Sequence, residues 1–174
     1  MDNDALRDQL VLHHEACLAW ARHCCGNDRE EAEDVLQTVY LKVLLGRARF
    51  DGRSSLRTWL FAVIRRTAAE ARHSRILRRF RLQPLDEHQH PAASEADASA
   101  VSNDMTSILA RALRSLPGRQ REVLLLVFYH EHTVDDAATI LGISPGSART
   151  HYARGKQRLR ALLSPIFLTD GARA

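Results

Sequence analysis

Three sets of side chains in this 174-residue sequence have types and spacings that could do chemistry. The first is a run of soft ligands, His13, His14, Cys17, His23, Cys24 and Cys25. His13 and Cys17 stand four apart, on one face of a helix, and Cys24 follows two turns later, so a metal or redox site is conceivable. The run lacks the C-x-x-C and H-E-x-x-H spacings of zinc sites, and buried cysteines usually act as small hydrophobes. The structural reading is therefore preferred, with no metal and no cofactor. The second set is Gly142-Ile143-Ser144-Pro145-Gly146, spelled like the G-x-S-x-G elbow of hydrolases. That elbow needs a strand before it, and here a helical pattern precedes, so Ser144 reads as a helix cap and no catalytic residue is assigned. The third set is the arginines, whose chemistry is the binding of phosphate and base edges.

There are 23 Arg against two lysines, Lys42 and Lys156, and the formal net charge is +4. The charge is segregated. Residues 1–81 carry fifteen Lys/Arg and eleven Asp/Glu, residues 82–104 carry five acids and no Lys or Arg, and residues 105–174 carry ten cations and five acids. A general bias toward Arg explains the choice over Lys but not this layout. Two basic modules facing polyanions, joined by an acidic connector, fit it. The longest apolar run, Val123 to Tyr129, is far short of the roughly 20 residues of a membrane span, and the acidic start lacks a secretory signal's pattern. A protein without membrane insertion, in the cytoplasm, is expected.

The elements that must position these residues read as helices throughout, so the fold class is all-α. Leu6 to Cys25 is predicted as one amphipathic helix ended by Gly26. Asp28 then caps a helix with Glu31 three positions on. That helix would bury Ala32, Val35, Leu36, Val39 and Val43 and leave Asp34, Gln37, Thr38 and Leu41 outside. A third helix, about Ser55 to Arg79, has an inner stripe of Leu60, Ile64, Thr67/Ala68 and Ala71. From Leu82 to Asp104, prolines, small polar residues and acids offer no apolar stripe, which predicts a flexible linker. Beyond it, Ile108–Leu116 and Arg119–Tyr129 form two helices, the second with Val123, Leu124 and Val127 on one face. Thr133 caps a short helix with Asp136 at its third position, Gly142 ends it, and Ser144 caps a longer helix beginning at Pro145. Helix, tight glycine turn, longer helix is helix-turn-helix grammar. In the last helix Ala148, Tyr152, Gly155, Leu159 and Leu162 would face inward. Ser147, Thr150, Arg154 and Gln157 would face out, flanked by Arg149, His151, Lys156, Arg158 and Arg160. Small polar residues near the N-terminus with cations further on suit base and phosphate contact, although a solvated basic face would look similar.

These blocks resemble the bacterial sigma factors of the extracytoplasmic-function (ECF) group of the sigma-70 family. Glu31-Ala32-Glu33-Asp34-Val35-Leu36-Gln37-Thr38-Val39-Tyr40-Leu41-Lys42 is similar to the group's A-E-D-x-x-Q helix. Phe50-Asp51-Gly52 and Ser55 to Phe61 are similar to the stretch that follows. Leu113 to Pro117 with Arg121-Glu122-Val123 resembles the entry to its C-terminal domain. Asp136-Ala137-Ala138 through Lys156 resembles its helix-turn-helix.

The resemblance implies a transcription initiation factor, not an enzyme, with four segments: 1–81 for RNA polymerase core and the promoter −10 element, the 82–104 linker, 105–168 for the −35 element, and a 169–174 tail. It implies core binding through Asp34, Gln37, Thr38 and Leu41. It implies −10 contacts from Arg57, Trp59, Arg65, Arg66, Arg72 and Arg75, within a basic run of seven arginines from Arg65 to Arg81. Trp59 could equally pack into the core. It implies −35 contacts from Ser147, Arg149, Thr150, His151, Arg154 and Lys156. Partners would be polymerase core, promoter DNA and an anti-sigma factor, and the acidic linker would thread the channel where nascent RNA passes.

The chain departs from the family pattern at three of these positions. Arg66 stands where the group usually has Asn, either paired with Glu70 one turn on or altering base preference. His151 replaces a common Arg, and Ala148 a common Val. Two alternatives stand beside this reading: a two-module DNA-binding regulator acting without polymerase, and a helical metalloenzyme built on the His/Cys run.

Overall fold

The structure, a computed structural model, describes residues 3–82 and 105–170, with side chains described over 5–78 and 105–164. The chain divides into two compact units, Met1–Ala98 and Ser99–Ala174. The expected linker, apart from Leu82, and the last four residues lie outside the described residues.

In the first unit α1 (Asn3–Leu12) and α2 (His14–Cys24) replace the single helix expected from Leu6 to Cys25. Hydrogen bonds flank the joint on both sides, with His13 N–H donating to Gln9 O at 3.1 Å and Cys17 N–H to His13 O at 2.9 Å. The break is a local departure of His13 (φ −97°, ψ 3°) from helical geometry, invisible to an apolar-stripe reading. Gly26 and Asn27 (φ +67° and +70°) end α2 in the left-handed region, where Asn27 N–H reaches back to Arg22 O at 2.8 Å.

α3 (Arg29–Leu44) starts as expected, the Asp28 carboxylate accepting from Glu31 N–H at 3.1 Å, and buries Ala32, Val35, Leu36, Val39 and Val43. α4 (Leu56–Leu82) buries Leu60, Ile64, Thr67 and Ala68. It runs into the first residue of the expected linker, because the proline that would stop it comes two residues later. α2, α3 and α4 pack on one another around Trp20 and Phe61, which stack at 5.7 Å. The Trp20 indole N–H is satisfied by the Phe61 carbonyl at 3.0 Å. A buried indole needs such a partner, and this one fixes α2 on α4.

In the second unit α5 (Met105–Arg114) and α6 (Gly118–Leu124) precede a π-helical turn, Leu125–Tyr129, where a continuous helix was expected. The His130 N–H donates to Leu125 O, five residues back, at 3.0 Å. The wider turn shifts the register, so Leu126 is fully buried in place of Val127. α7 (Val134–Leu141) carries a complete capping box: Asp136 N–H donates to Thr133 Oγ1 at 3.0 Å and Thr133 N–H to Asp136 Oδ2 at 3.2 Å. Gly142 (φ +63°) ends it, and Ser144 Oγ accepts from Ser147 N–H at 3.1 Å to start α8 (Pro145–Asp170).

α5, α6 and α7 all pack on α8. Ala148 and Gly155 are buried and Tyr152 and Leu159 half-buried, but Leu162 is exposed, and it is Leu163, four residues after Leu159, that is half-buried in its place. Gly155 is dictated by close approach: a Cβ there would lie 3.1 Å from Leu124 Cδ1 and 3.3 Å from Gln120 Cβ. Among the described residues there is no strand, and no helix is long and apolar enough to cross a membrane.

Candidate nucleic-acid and protein interfaces

On α3 the four residues opposite the buried stripe, Asp34, Gln37, Thr38 and Leu41, are all exposed and lie within two turns of one another. Leu41 is 54% exposed and Leu45, one turn on, 63%. An apolar pair on an otherwise polar surface strip is a protein-contact signature more than a solvent one. The same helix is tied to α4 at both ends. Arg75 pairs with Glu31 in the first turn of α3, and Lys42 Nζ donates to Thr67 Oγ1 at 3.1 Å and Glu70 Oε2 at 2.9 Å in the last.

The basic residues assigned to α4 therefore fall into distinct groups. Arg72 Nη2 donates to Cys24 O at 2.7 Å, satisfying a carbonyl at the C-terminus of α2, where a cation is also favoured by the helix dipole. Arg75 is held by Glu31, whose hydrogen bond raises the guanidinium pKa. Arg57 is half-buried, its guanidinium 5.7 Å from the Phe61 ring centre. Arg65 is half-buried as well. Trp59 is half-buried with its ring 5.6 Å from Phe50 in a tilted contact, which favours packing of the two readings it allowed. Arg66 and Arg78 stand exposed. The Arg66–Glu70 pair that helical spacing suggested is not formed; the Glu70 carboxylate accepts instead from Lys42 of α3. What sequence reasoning missed is that Glu31, Lys42 and Thr67 join α3 to α4. By sequence Glu31 reads as a cap partner and Thr67 as part of the buried stripe, and the contacts between the two helices cross 25 to 44 positions of sequence.

On α8 the exposed strip contains Ser147, Arg149, Thr150 and Arg154, with Lys156 and Gln157 further along and His151 half-buried. Ser147 and Thr150 are partly committed: Ser144 Oγ donates to Ser147 Oγ at 2.9 Å and Thr150 Oγ1 donates to Gly146 O at 3.0 Å. Arg149 Nη2 reaches across to Asp135 on α7, 3.0 Å from Oδ1 and 3.4 Å from Oδ2. Lys156 Nζ sits 5.2 Å above the Tyr152 ring, which itself stacks on Phe128 at 5.9 Å. Arg154 keeps its guanidinium at the surface.

The His/Cys run does not converge. Cys17 is fully buried, and desolvation pushes its thiol pKa up to about 12 against the opposing charge of Arg57. Burial, with help from Glu31, raises that of Cys25 to about 11. His13 is lowered by burial and then by Arg57. Among the described residues no group of three or more His, Cys, Asp or Glu side chains is placed to hold a metal ion.

Comparison with known proteins locates two family regions on these units. The family model described as sigma-70 region 2 matches residues 10–79, and that described as sigma-70, region 4 matches residues 106–159. The RNA polymerase sigma factor CarQ of Myxococcus xanthus is 30% identical over 170 residues, spanning 95% of this chain and 92% of that protein. The ECF RNA polymerase sigma factor SigC of Mycobacterium tuberculosis (strain CDC 1551 / Oshkosh) is 32% identical over 144 residues, 82% of this chain and 76% of that protein. The fold is shared with the sigma factor RpoE of Bartonella quintana, solved in complex with the anti-sigma factor NepR, at TM-score 0.65 and 23% identity over 92% of this chain and 97% of that one. It is shared too with CnrH, solved with the cytosolic domain of CnrY, at TM-score 0.59 and 23% identity, over 91% of this chain and 87% of that one.

Proposed function

The chain belongs to the ECF group of the sigma-70 family, and on that premise we propose a division of labour between its two units. It is a sigma factor, the subunit through which RNA polymerase core starts transcription at promoters, rather than a regulator acting apart from polymerase. The family consists of initiation factors, and this chain performs no catalysis of its own. It acts in the cytoplasm, where polymerase and nucleoid are.

The first unit docks on polymerase core through Asp34, Gln37, Thr38 and Leu41. The supporting observation is an exposed leucine set among small polar side chains on a helix whose other face is fully buried. The −10 contacts come from α4, with Arg66 and Arg78 as the cations presented to solvent. Arg57, Trp59, Arg65, Arg72 and Arg75 act chiefly by holding α4 in place, because they are half-buried or, for Arg72 and Arg75, spend their donors within the unit. The second unit binds the −35 element through α8, where Ser147, Thr150 and Arg149 near its start face base edges and His151, Arg154 and Lys156 hold phosphates. An anti-sigma partner is part of this reading, supported by the anti-sigma complex in which the similar RpoE fold was solved.

The test is co-elution with polymerase core. The unaltered chain should travel with it, and Gln37→Glu combined with Leu41→Glu should abolish that while leaving the chain folded. Retention of the doubly charged variant on core would move the interface elsewhere.

A further inference from the structure

Lys42 stands at the end of the proposed polymerase-facing helix yet turns away from it, toward α4. Its ammonium is shared between Thr67 Oγ1 (3.1 Å) and Glu70 Oε2 (2.9 Å). Thr67 is buried and Glu70 exposed, so the lysine caps the edge of the α3–α4 contact with a half-buried charge. Glu70 is four residues from Arg66, the spacing at which a carboxylate and a guanidinium on one helix find each other. Left to itself, Glu70 would be both a local partner for Arg66 and a negative charge on a helix that must approach phosphates. We propose that Lys42 is a positioning residue for DNA binding: by occupying Glu70 it keeps the Arg66 guanidinium free and cancels the one acidic charge on α4.

Two details support this assignment over a simple helix-to-helix tie. The rest of α4, from Leu56 to Leu82, contains no other Asp or Glu, so Glu70 is the sole acid within that helix able to pair with one of its own cations. Arg66, with Glu70 engaged, has no ion-pair partner among the described residues, and its side chain is exposed. The lysine's second bond, to the fixed Thr67 hydroxyl, limits its freedom. That favours the pair over the usual exposed ion pair, in which two flexible chains must be ordered together.

The inference rests on the reading that Arg66 meets DNA, and the experiment separates the two. Holoenzyme is assembled from polymerase core and the full chain, and its affinity for a fluorescein-labelled fork junction with a randomised single-stranded −10 segment is measured against salt. Arg66→Ala should weaken binding about tenfold and lower the salt slope by about 0.7, the increment for one phosphate on a single strand. Lys42→Met should mimic it, because Glu70 then folds back on Arg66. Glu70→Gln alone should bind as well as the unaltered chain, and Lys42→Met with Glu70→Gln should recover the affinity that Lys42→Met lost.

A merely structural tie predicts otherwise: Lys42→Met would break it and adding Glu70→Gln would restore nothing. No rescue, or a Lys42→Met variant indistinguishable from the unaltered chain while Arg66→Ala is impaired, overturns the inference alone. An Arg66→Ala holoenzyme with unchanged affinity and salt slope overturns the underlying reading of Arg66, and the inference with it.

Discussion

The two units hold their cations in different ways. In the first, α4 is laced to its neighbours by long side chains: Arg72 to Cys24 O, Arg75 to Glu31, Lys42 to Thr67 and Glu70. Each link joins residues 25 to 48 positions apart. In the second, α8 is fixed mainly by local devices, the α7 capping box, the Gly142 turn and the Ser144 cap, and by the close approach at Gly155, with a long-range arginine bond, Arg158 Nη1 to Gln120 Oε1 at 3.5 Å. Arg149 reaches only the adjacent helix and Arg154 stays at the surface. A helix pinned by caps and a glycine contact can spend its arginines outward. One pinned by its own arginines has fewer to spend, so a count of basic residues overstates the nucleic-acid surface of the first unit.

The sharpest way to break the contrast is to overfill the glycine contact. Gly155→Val should destabilise the second unit by about 1–3 kcal/mol, because the neighbouring Leu124 and Gln120 side chains leave no room. Thermal unfolding should then show a lowered transition for that unit, with core binding by the first unit unchanged.

Alkaline pH should act on the first unit instead. The buried thiols of Cys17 and Cys25 have pKa values raised to about 12 and about 11 from the usual 9.0. A raised folded pKa contributes stability that is fully present below the unfolded value and lost as pH climbs toward the folded one. Chemical denaturation should therefore show a loss of about 1.4 kcal/mol per pH unit for each thiol above pH 9. Cys17→Ala should reduce that slope, and a slope unchanged by it would contradict the burial argument.

A smaller effect sharpens the account of the second unit. Glu131 adopts φ +53°, a conformation that favours glycine, between the buried His130 and His132. Glu131→Gly should stabilise that unit by about 1 kcal/mol, read as a rise in its unfolding midpoint.

Smallest of all, Arg75→Ala should cost the first unit about 0.5 kcal/mol, since the pair is partly exposed. It should leave the salt slope of DNA binding unchanged, whereas Arg154→Ala should lower that slope by about 0.9. Equal slopes for the two variants would erase the distinction between bracing and binding arginines.

How far the sequence was legible follows the same division. The helix-turn-helix could be read residue by residue, because Thr133, Asp136, Gly142, Ser144 and Pro145 act on backbone within four positions of themselves. The buried stripe of α3 was legible from its 3.6-residue period, and with it the outward set from Asp34 to Leu41. The joint at His13 and the π turn at Leu125–Tyr129 were not, since neither changes the apolar pattern by more than one position. The bracing arginines were hidden for another reason. Whether a guanidinium meets DNA or a carbonyl 48 residues away is decided by tertiary proximity, to which a charge count is blind. The misplaced Glu70 partner is the plainest case: helical spacing offered Arg66, and the fold supplied Lys42.

The most direct test of the central claim is transcription in vitro from genomic DNA fragments with polymerase core, with and without this chain. The account predicts discrete start sites only when both are present, lost with Gln37→Glu/Leu41→Glu. Transcripts that are the same with core alone, or that survive the loss of the α3 face, would contradict it.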